Sequence, residues 1–251
     1  MNNIFSRYNL QQFYKDLHEL YITLSDTQVE QFLIYYEMLV EKNQAVNLTA
    51  ITDFDEVLKK HFIDSLSLVK ACDFSHNDTE ISLIDVGTGA GFPGIPLKIA
   101  FPNLKVTLMD SLNKRVDFLH EVIVTLGLRE INAIHGRAED YVKPGQLREK
   151  YDLCVSRAVA NLSVLAEYCI PYVKVGGKFI SYKSEKVTEE IKDAEYAIDI
   201  LGGKVEKQIS FTLPDSDICR NLIVITKQIE TPSKYPRKAG KADKKPLHGN
   251  E

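Results

Sequence analysis

The sequence predicts an α/β fold in which helices cover both faces of a seven-stranded, mostly parallel sheet. Two observations support this fold class. From residue 82 onward, predicted strands and predicted helices alternate, which is typical of a doubly wound sheet. The last two strands are joined by residues 213–217 without a helix, so they should form a hairpin and place one antiparallel strand in the sheet.

The individual elements follow from hydrophobic periodicity and from turn residues. Strands are predicted near 82–86, 105–110, 131–135, 151–156, 175–182, 204–211 and 220–227, and helices near 92–101, 113–126, 161–171 and 185–201.

The first 72 residues are predicted to be helical. Ser25 and Gln28 form a capping-box pattern, with Ser as N-cap and Gln at N3. A helix starting there would bury Val29, Phe32, Leu33, Tyr36 and Val40. A second helix is predicted over 55–72, with Val57, Phe62, Leu66 and Val69 on its inner face.

Composition and length suit one α/β domain with an extension. The chain has 251 residues, of which 44% are hydrophobic and 26% charged. We predict a helical N-terminal extension over 1–75, a nucleoside-cofactor domain over 76–230 and a basic tail over 231–251. No run is apolar enough for a membrane helix, the N-terminal residues show no signal-peptide pattern, and the four cysteines form no C-x-x-C pair. We therefore expect a cytoplasmic protein without a metal site.

Charge is distributed unevenly along the chain. The formal net charge is −4, but residues 231–251 carry six Lys/Arg and only two acidic residues. A basic tail on an acidic body suggests a polyanionic partner. The alternative is a solvated, disordered tail.

The glycine-rich segment after the first predicted strand carries the strongest functional signal. Asp85 closes the apolar strand, and Gly87, Gly89 and Gly91 would let the backbone turn tightly and approach a ligand. A helix follows, so its free N–H groups would point at the ligand. This pattern predicts a nucleoside-cofactor pocket, whereas a loop that binds nothing is the alternative.

These glycines fit the patterns of two cofactor classes. Gly89, Gly91 and Gly94 fit the dinucleotide pattern G-x-G-x-x-G. The longer string over 85–91 resembles the first motif of class I S-adenosylmethionine (SAM) methyltransferases. We favour SAM because the Asp85 carboxylate suits a cationic amine and would repel a pyrophosphate. Pro93 also removes an N–H that a phosphate could use.

The next predicted strand ends in a second acid, Asp110. Its position fits one βαβ unit, so its carboxylate could accept two hydrogen bonds from a ribose diol. Asp110 could instead cap the following helix, although Ser111 could fill that role equally well.

With these segments in place, the chain closely resembles the RsmG family, also called glucose-inhibited division protein B. These proteins are bacterial guanine-N7 methyltransferases of small-subunit (16S) ribosomal RNA. The resemblance covers nearly the whole chain. Its signatures are Asn47-Leu-Thr, His61-Phe-Ile-Asp-Ser-Leu66, Asp85-Val-Gly-Thr-Gly-Ala-Gly-Phe-Pro-Gly-Ile-Pro96, Gly136-Arg-Ala-Glu-Asp140, Ser156-Arg-Ala158, Tyr182-Lys183 and Lys234-Tyr-Pro-Arg-Lys238. One departure is Lys241-Ala-Asp-Lys244, where many relatives carry more prolines.

The resemblance implies roles for particular residues. Gly87 and Phe92 would line the SAM site, and Ala138 and Glu139 would flank the adenine. Arg157 would face the cofactor and the incoming base. Without the resemblance, Glu139 could be a surface acid and Arg157 could form a salt bridge with a nearby carboxylate.

His61, Asp64 and Ser65 invite interpretation as a catalytic triad, which we reject. They lie on one predicted helix without a nucleophile elbow or a visible oxyanion hole. Capping or packing against the catalytic domain explains them better.

The resemblance also implies a reaction. Guanine N7 carries a lone pair and no proton, so direct in-line methyl transfer needs no general base. The implied target is the guanine at conventional position 527, in a loop of 16S ribosomal RNA or of a small-subunit assembly intermediate. We expect RNA contacts through Lys183, Arg237 and Lys238, and we expect a monomer.

Three alternative functions remain open on sequence grounds. They are methylation of a small molecule or another RNA, nicotinamide-dependent oxidoreduction, and RNA binding without catalysis.

Overall fold

The computed structural model describes residues 4–74, 80–157, 160–184 and 187–249. Within them, seven strands form one sheet in the order β3-β2-β1-β4-β5-β7-β6. The strands are β1 Ile81–Val86, β2 Leu104–Asp110, β3 Ile131–His135, β4 Tyr151–Ser156, β5 Val173–Lys183, β6 Gly203–Thr212 and β7 Cys219–Lys227.

The sheet confirms the predicted topology. β1 to β5 pair in parallel, whereas β7 is antiparallel to both β5 and β6. The strand order reverses between β1 and β4, where open α/β sheets bind ligands at the carboxyl edge. The turns after β1, β2, β3 and β4 all lie at this edge.

Helices lie on both sides of the sheet. They are α1 Gln11–Glu19, α2 Asp26–Val46, α3 Phe54–Val57, α4 Asp64–Leu66, α5 Gly94–Ala100, α6 Asn113–Thr125, α7 Leu162–Cys169, α8 Thr188–Ile200 and α9 Lys241–Lys244. The backbone between α3 and α4 is a π-helical stretch, Leu58–Ile63, so residues 54–66 run as one continuous helical segment. The predicted start of a helix at residues 185–186 lies outside the described residues.

The N-terminal helices form part of the main core. Side chains of α1 and α2 pack with α5, α6 and one face of the sheet, which includes Leu83 and Val155. Ile84 and Cys154 point to the opposite face and pack with α7, α8 and part of the C-terminal segment. The predicted boundary at 75/76 lies outside the described residues.

The α2 helix begins at the predicted capping box, in which the Ser25 side chain and Gln28 satisfy each other's backbone N–H groups. The side chains that α2 buries differ from those predicted. Tyr35 and Leu39 are fully buried, whereas Tyr36 and Val40 remain half-buried. The reason is that α2 contacts α5 and α6 together with the N-terminal turn, so its apolar surface is wider than one stripe.

The C-terminal segment is packed on the body rather than extended into solvent. Tyr235, Ala242 and Leu247 are buried. The Arg148 guanidinium donates to the carbonyl oxygens of Thr231 and Tyr235, at 2.5 and 2.8 Å. These contacts overturn the alternative of a disordered tail. No described helix is long and apolar enough to span a bilayer.

Candidate active site

The loop after β1 is built from glycines that serve different purposes. Gly87, Gly89 and Gly91 have φ values of +73°, +62° and +107°, which favour glycine. A Cβ on Gly91 would lie 2.7 Å from the Tyr35 hydroxyl, and a Cβ on Gly94 would lie 2.3 Å from a Leu108 methyl. Packing against Tyr35 of α2 and Ile95 of α5 therefore requires glycine at position 91.

Asp85 lies beneath this loop and organises it. Its Oδ2 accepts hydrogen bonds from the Thr88 hydroxyl at 2.6 Å and from the Gly94 N–H at 2.9 Å. Its Oδ1 is buried without a hydrogen-bond partner among the described residues. Burial raises the pKa of the Asp85 carboxyl to about 6, although its two hydrogen bonds and the Arg157 charge oppose the rise. The unpaired oxygen is an acceptor in need of a donor.

Asp110 ties the second strand to the glycine loop. Its Oδ2 accepts from the Gly89 N–H at 2.9 Å and lies 3.4 Å from Arg115 Nη1, while Oδ1 accepts from the Leu112 N–H at 2.9 Å. Neither Asp110 nor Ser111 is the N-cap of α6, because the N-cap residue is Leu112 and no side chain caps this helix. A carboxylate has about four lone-pair positions, so less capacity remains for a ribose diol than the sequence suggests.

These loops frame a cavity of about 580 Å³ at the carboxyl edge of the sheet. Its volume lies in the range of small-molecule sites. Apolar side chains and a few polar groups line it together. The lining comprises Val86, Gly87, Met109, Asp110, Ser111, Leu112, Arg115, Gly136, Arg137, Ala138, Glu139, Ala160, Leu165, Tyr168, Gly240 and Asp243.

The predicted cofactor residues divide into two groups. Gly87, Asp110, Ala138 and Glu139 line the cavity. The other four do not line it; they are Asp85, Gly89, Phe92 and Arg157. Gly89 and Phe92 belong to the loop after β1, which Asp85 holds through the Gly94 N–H and which Arg157 contacts at the Phe92 ring. Ala158, which belongs to the Ser156-Arg-Ala motif, lies outside the described residues.

Arg157 is held by the N-terminal helical segment. Its Nη1 donates to Asp64 Oδ2 at 3.1 Å, and its Nη2 lies 3.2 Å from His61 Nδ1. Its guanidinium carbon also lies 5.0 Å from the centre of the Phe92 ring, within cation–π range. Arg157 therefore forms the salt bridge that was the alternative to its cofactor role. This salt bridge, with Asp64, fixes the guanidinium at the end of β4.

His61 connects Arg157 to the loop after α2. Its ring stacks on Phe92 with centroids 4.5 Å apart, and its Nε2 lies 2.8 Å from the Thr49 hydroxyl. Burial and the Arg157 charge lower the pKa of His61 to about 3. Nδ1 must therefore accept from Arg157, and the neutral ring carries its proton on Nε2. His61 and Asp64 pack against the catalytic domain as expected, and they do not form a triad.

Two of the three predicted RNA-binding cations have internal partners. Lys183 Nζ lies 2.7 Å from both Glu190 Oε1 and the Ala160 carbonyl oxygen. Arg237 forms an ion pair with Glu167, whose side chain is 1% exposed. Sequence patterning does not show such tertiary partners, so the expected RNA contacts of Lys183 and Arg237 do not take these ion pairs into account. Lys238 is exposed, as expected.

The sequence did not point to several residues that build the site. Tyr35 donates a 2.5 Å hydrogen bond to the Ala90 carbonyl oxygen and so supports the glycine loop from α2. Tyr168, Gly240 and Asp243 line the cavity. Periodicity indicates Tyr36 rather than Tyr35 for the core, and it places Tyr168 only within the helix predicted over 161–171. Tail composition does not show the inward contacts of Gly240 and Asp243.

Comparison with known proteins agrees with this architecture. The family model described as rRNA small subunit methyltransferase G matches residues 28–222. Ribosomal RNA small subunit methyltransferase G from Lachnoclostridium phytofermentans is 57% identical over 235 residues, covering 94% of this chain and 96% of the relative. The protein of the same name from Alkaliphilus metalliredigens is 54% identical, covering 91% of this chain and 95% of the relative.

A solved methyltransferase from Pyrococcus furiosus shares the fold, with a TM-score of 0.54 at 16% identity. The match covers 82% of this chain and all of that structure. This likeness shows that the two proteins share the arrangement of the sheet and its helices. Because the family model and both relatives match over most of its length, this chain belongs to the rRNA small subunit methyltransferase G family.

Proposed function

We propose that this chain is a SAM-dependent methyltransferase that modifies guanine N7 at conventional position 527 of 16S ribosomal RNA. Family membership supports ribosomal RNA as the substrate class. The structural observation that carries the proposal is the cavity of about 580 Å³ framed by the turns after β1, β2 and β3. A nucleoside cofactor belongs at this edge of such a sheet.

The lining of the cavity fits SAM. Met109, Leu112 and Leu165 provide apolar surface for a purine ring, and Asp110 provides acceptors for hydroxyl groups. Asp85 lies beneath the adjacent loop, and its hydrogen bonds with Thr88 and Gly94 hold the loop that borders the cavity. When bound, SAM supplies a methyl group on a positively charged sulfur.

The work of the protein is then positioning rather than proton transfer. N7 has a free lone pair, so the absence of an obvious acid–base pair from the sequence agrees with the reaction. Holding two reactants in line can supply several kcal/mol, roughly 7 or more in well-oriented cases. We propose that Arg157 orients the base through O6 or a phosphate while leaving N7 clear. Its contacts with Asp64 and His61 support this role because they hold the guanidinium in place.

RNA binding is assigned to exposed cations of the C-terminal segment. Lys234, Lys238, Lys241 and Lys244 are exposed, whereas Arg237 is paired with Glu167. A-form RNA hides N7 in a deep, narrow groove, so the target guanine must lie in a loop or be unstacked. We propose that the substrate is 16S RNA or a cytoplasmic small-subunit assembly intermediate, and that the enzyme acts as a monomer.

The substrate class can be tested by competition. The full-length protein is incubated with radiolabelled SAM, small-subunit RNA from cells that lack this protein, and a metabolite extract. We expect label in the RNA fraction, and melting temperatures raised by SAM and by its demethylated product but not by NAD. Label confined to small molecules would contradict the proposal, as would stabilisation by NAD alone.

A further inference from the structure

The C-terminal segment contributes directly to the cavity. We call residues 237–243 the C-terminal strap. Gly240 and Asp243, which belong to the strap, line the cavity together with the turn after β3. A region whose basic composition suggests a polyanionic partner therefore forms one wall of the proposed cofactor site.

One end of the strap is fixed by a buried ion pair. Arg237 Nε lies 2.9 Å from Glu167 Oε1, and Arg237 Nη2 lies 2.7 Å from Glu167 Oε2. The Arg237 backbone N–H donates to the same carboxylate at 2.7 Å. The Glu167 side chain is 1% exposed and that of Arg237 is 14% exposed. A two-pronged contact of this kind fixes orientation as well as distance.

The middle of the strap is joined to the turn that should flank the adenine. The Gly240 N–H donates to Glu139 Oε1 at 2.9 Å. Gly240 has a φ of +73°, so the turn that presents this N–H to Glu139 favours glycine. The backbone of the strap thus holds the side chain of Glu139, which lines the cavity.

The far end of the strap is held by α7. The Tyr168 hydroxyl donates to Asp243 Oδ2 at 2.8 Å, and both residues line the cavity. Because Glu167 and Tyr168 are consecutive on α7, one helical turn holds both ends of the strap. The outer surface carries exposed Lys238 and Lys241.

We propose that the strap closes over the proposed cofactor site and retains the cofactor, with Arg237 as the positioning residue that holds it in place. This inference rests on the proposed function. It assigns the inward-facing groups of the strap to cofactor retention and leaves its exposed lysines for RNA. The same segment can then contact both reactants of the methyl transfer.

The first test needs no substitution. Hydrogen–deuterium exchange of the full-length protein is followed with and without saturating S-adenosylhomocysteine. We expect at least fivefold slower exchange in peptides that cover the strap, and less than a twofold change in α1, which lies on the other face of the sheet. Unchanged exchange in the strap, or equal slowing in both regions, would overturn the inference.

The second test addresses Arg237. Calorimetry should show that Arg237→Ala weakens S-adenosylhomocysteine binding at least tenfold, and that Arg237→Lys has an intermediate effect. Asp16→Asn is the matched control because Asp16 also forms a buried ion pair, with Lys59, away from the cavity. We expect its binding affinity to stay within twofold of that of the unmodified protein.

The outcomes separate the two proposals. If the unmodified protein binds S-adenosylhomocysteine but Arg237→Ala binds it equally well, the strap proposal is overturned and the proposed function stands. If the unmodified protein does not bind it at all, both are overturned. If Arg237→Ala fails to fold, the exchange measurement on the unmodified protein still tests the strap proposal.

Discussion

Arg157 and Asp64 form an ion pair that joins the carboxyl end of β4 to the N-terminal helices, with Nη1 and Oδ2 3.1 Å apart. Asp64 also accepts from Arg220 Nε at 2.9 Å through its other oxygen. The side chains of Arg157 and Asp64 are 17% and 4% exposed. One carboxylate therefore balances two cations and determines where the Arg157 guanidinium lies.

Replacing Asp64 should destabilise the protein strongly. Asp64→Ala leaves two largely buried cations without their carboxylate, which should lower the free energy of unfolding by on the order of 3 kcal/mol. Urea denaturation measures this change. Glu121→Ala is the control, because the Lys42–Glu121 pair is exposed and its loss should cost less than about 1 kcal/mol. Equal effects of the two substitutions would contradict the role assigned to Asp64.

The pH dependence of stability should contain an Asp85 contribution. Its pKa is about 6 in the folded protein against 3.8 as the ordinary value. The folded state therefore binds the proton more tightly between these values, and stability falls as pH rises from about 4 to 6. Asp85→Asn removes this contribution, so the variant should gain up to about 3 kcal/mol relative to the unmodified protein across that window. Urea denaturation at pH 4.5, 5.5 and 7 should show this trend, and a constant difference would rule it out.

His61 should contribute with the opposite sign. Its pKa is about 3 in the folded protein against 6.5 as the ordinary value, so the unfolded chain binds the proton more tightly. Stability should fall as pH drops below about 6.5. His61→Phe keeps a ring against Phe92 and removes the titrating group, so its stability should fall less steeply on acidification. In addition, nitrogen NMR should show a neutral His61 ring at pH 5; a charged ring at that pH would contradict the arrangement with Arg157.

Two glycines of the loop should respond differently to alanine. At Gly94 a Cβ would lie 2.3 Å from Leu108 and 3.0 Å from Asp85 Oδ2, so Gly94→Ala should cost about 1–3 kcal/mol of stability through overpacking. At Gly89 a Cβ meets no atom within 4 Å, so the cost is mainly that of its positive φ, about 1 kcal/mol. We expect Gly89→Ala to fold and to bind S-adenosylhomocysteine at least fivefold more weakly. Normal binding by Gly89→Ala would show that the ligand does not approach this position.

The exposed lysines should control the salt dependence of RNA binding. Replacing Lys234 and Lys238 by Ala should reduce the slope of log affinity against log salt by roughly 1.4, since each phosphate contact to single-stranded RNA contributes about 0.7. Lys15→Ala is a matched control because Lys15 is exposed on α1, on the opposite face of the sheet. An unchanged slope in the double variant would show that RNA does not contact these two lysines. Deleting residues 231–251 is a poorer test, because it also removes Arg237 from Glu167 and Gly240 from the cavity.

The sequence predicted the sheet well because the signals are local. Alternating elements, a glycine-rich turn and a helix-free connection before β7 define the topology without tertiary information. The positions of Asp85 and Asp110 at the ends of β1 and β2 follow from the same reasoning.

The part of the site that the sequence did not predict depends on contacts between segments far apart in the chain. Glu167 meets Arg237 across 70 positions of sequence, and Glu139 meets Gly240 across 101. Composition shows that the tail is basic, but it cannot show which side chains turn inward. For the same reason the sequence predicts an RNA contact for Lys183 but does not show its ion pair with Glu190.

The measurement that tests the central claim most directly is identification of the methylated nucleoside. Small-subunit RNA from cells lacking this protein is treated with the purified enzyme and SAM, digested, and analysed by mass spectrometry with mapping of the modified fragment. We expect a single N7-methylguanosine in the loop that contains position 527. We also expect loss of this product with Arg157→Ala although S-adenosylhomocysteine still binds. A methyl group on another atom or another base, or full activity of Arg157→Ala, would contradict these expectations.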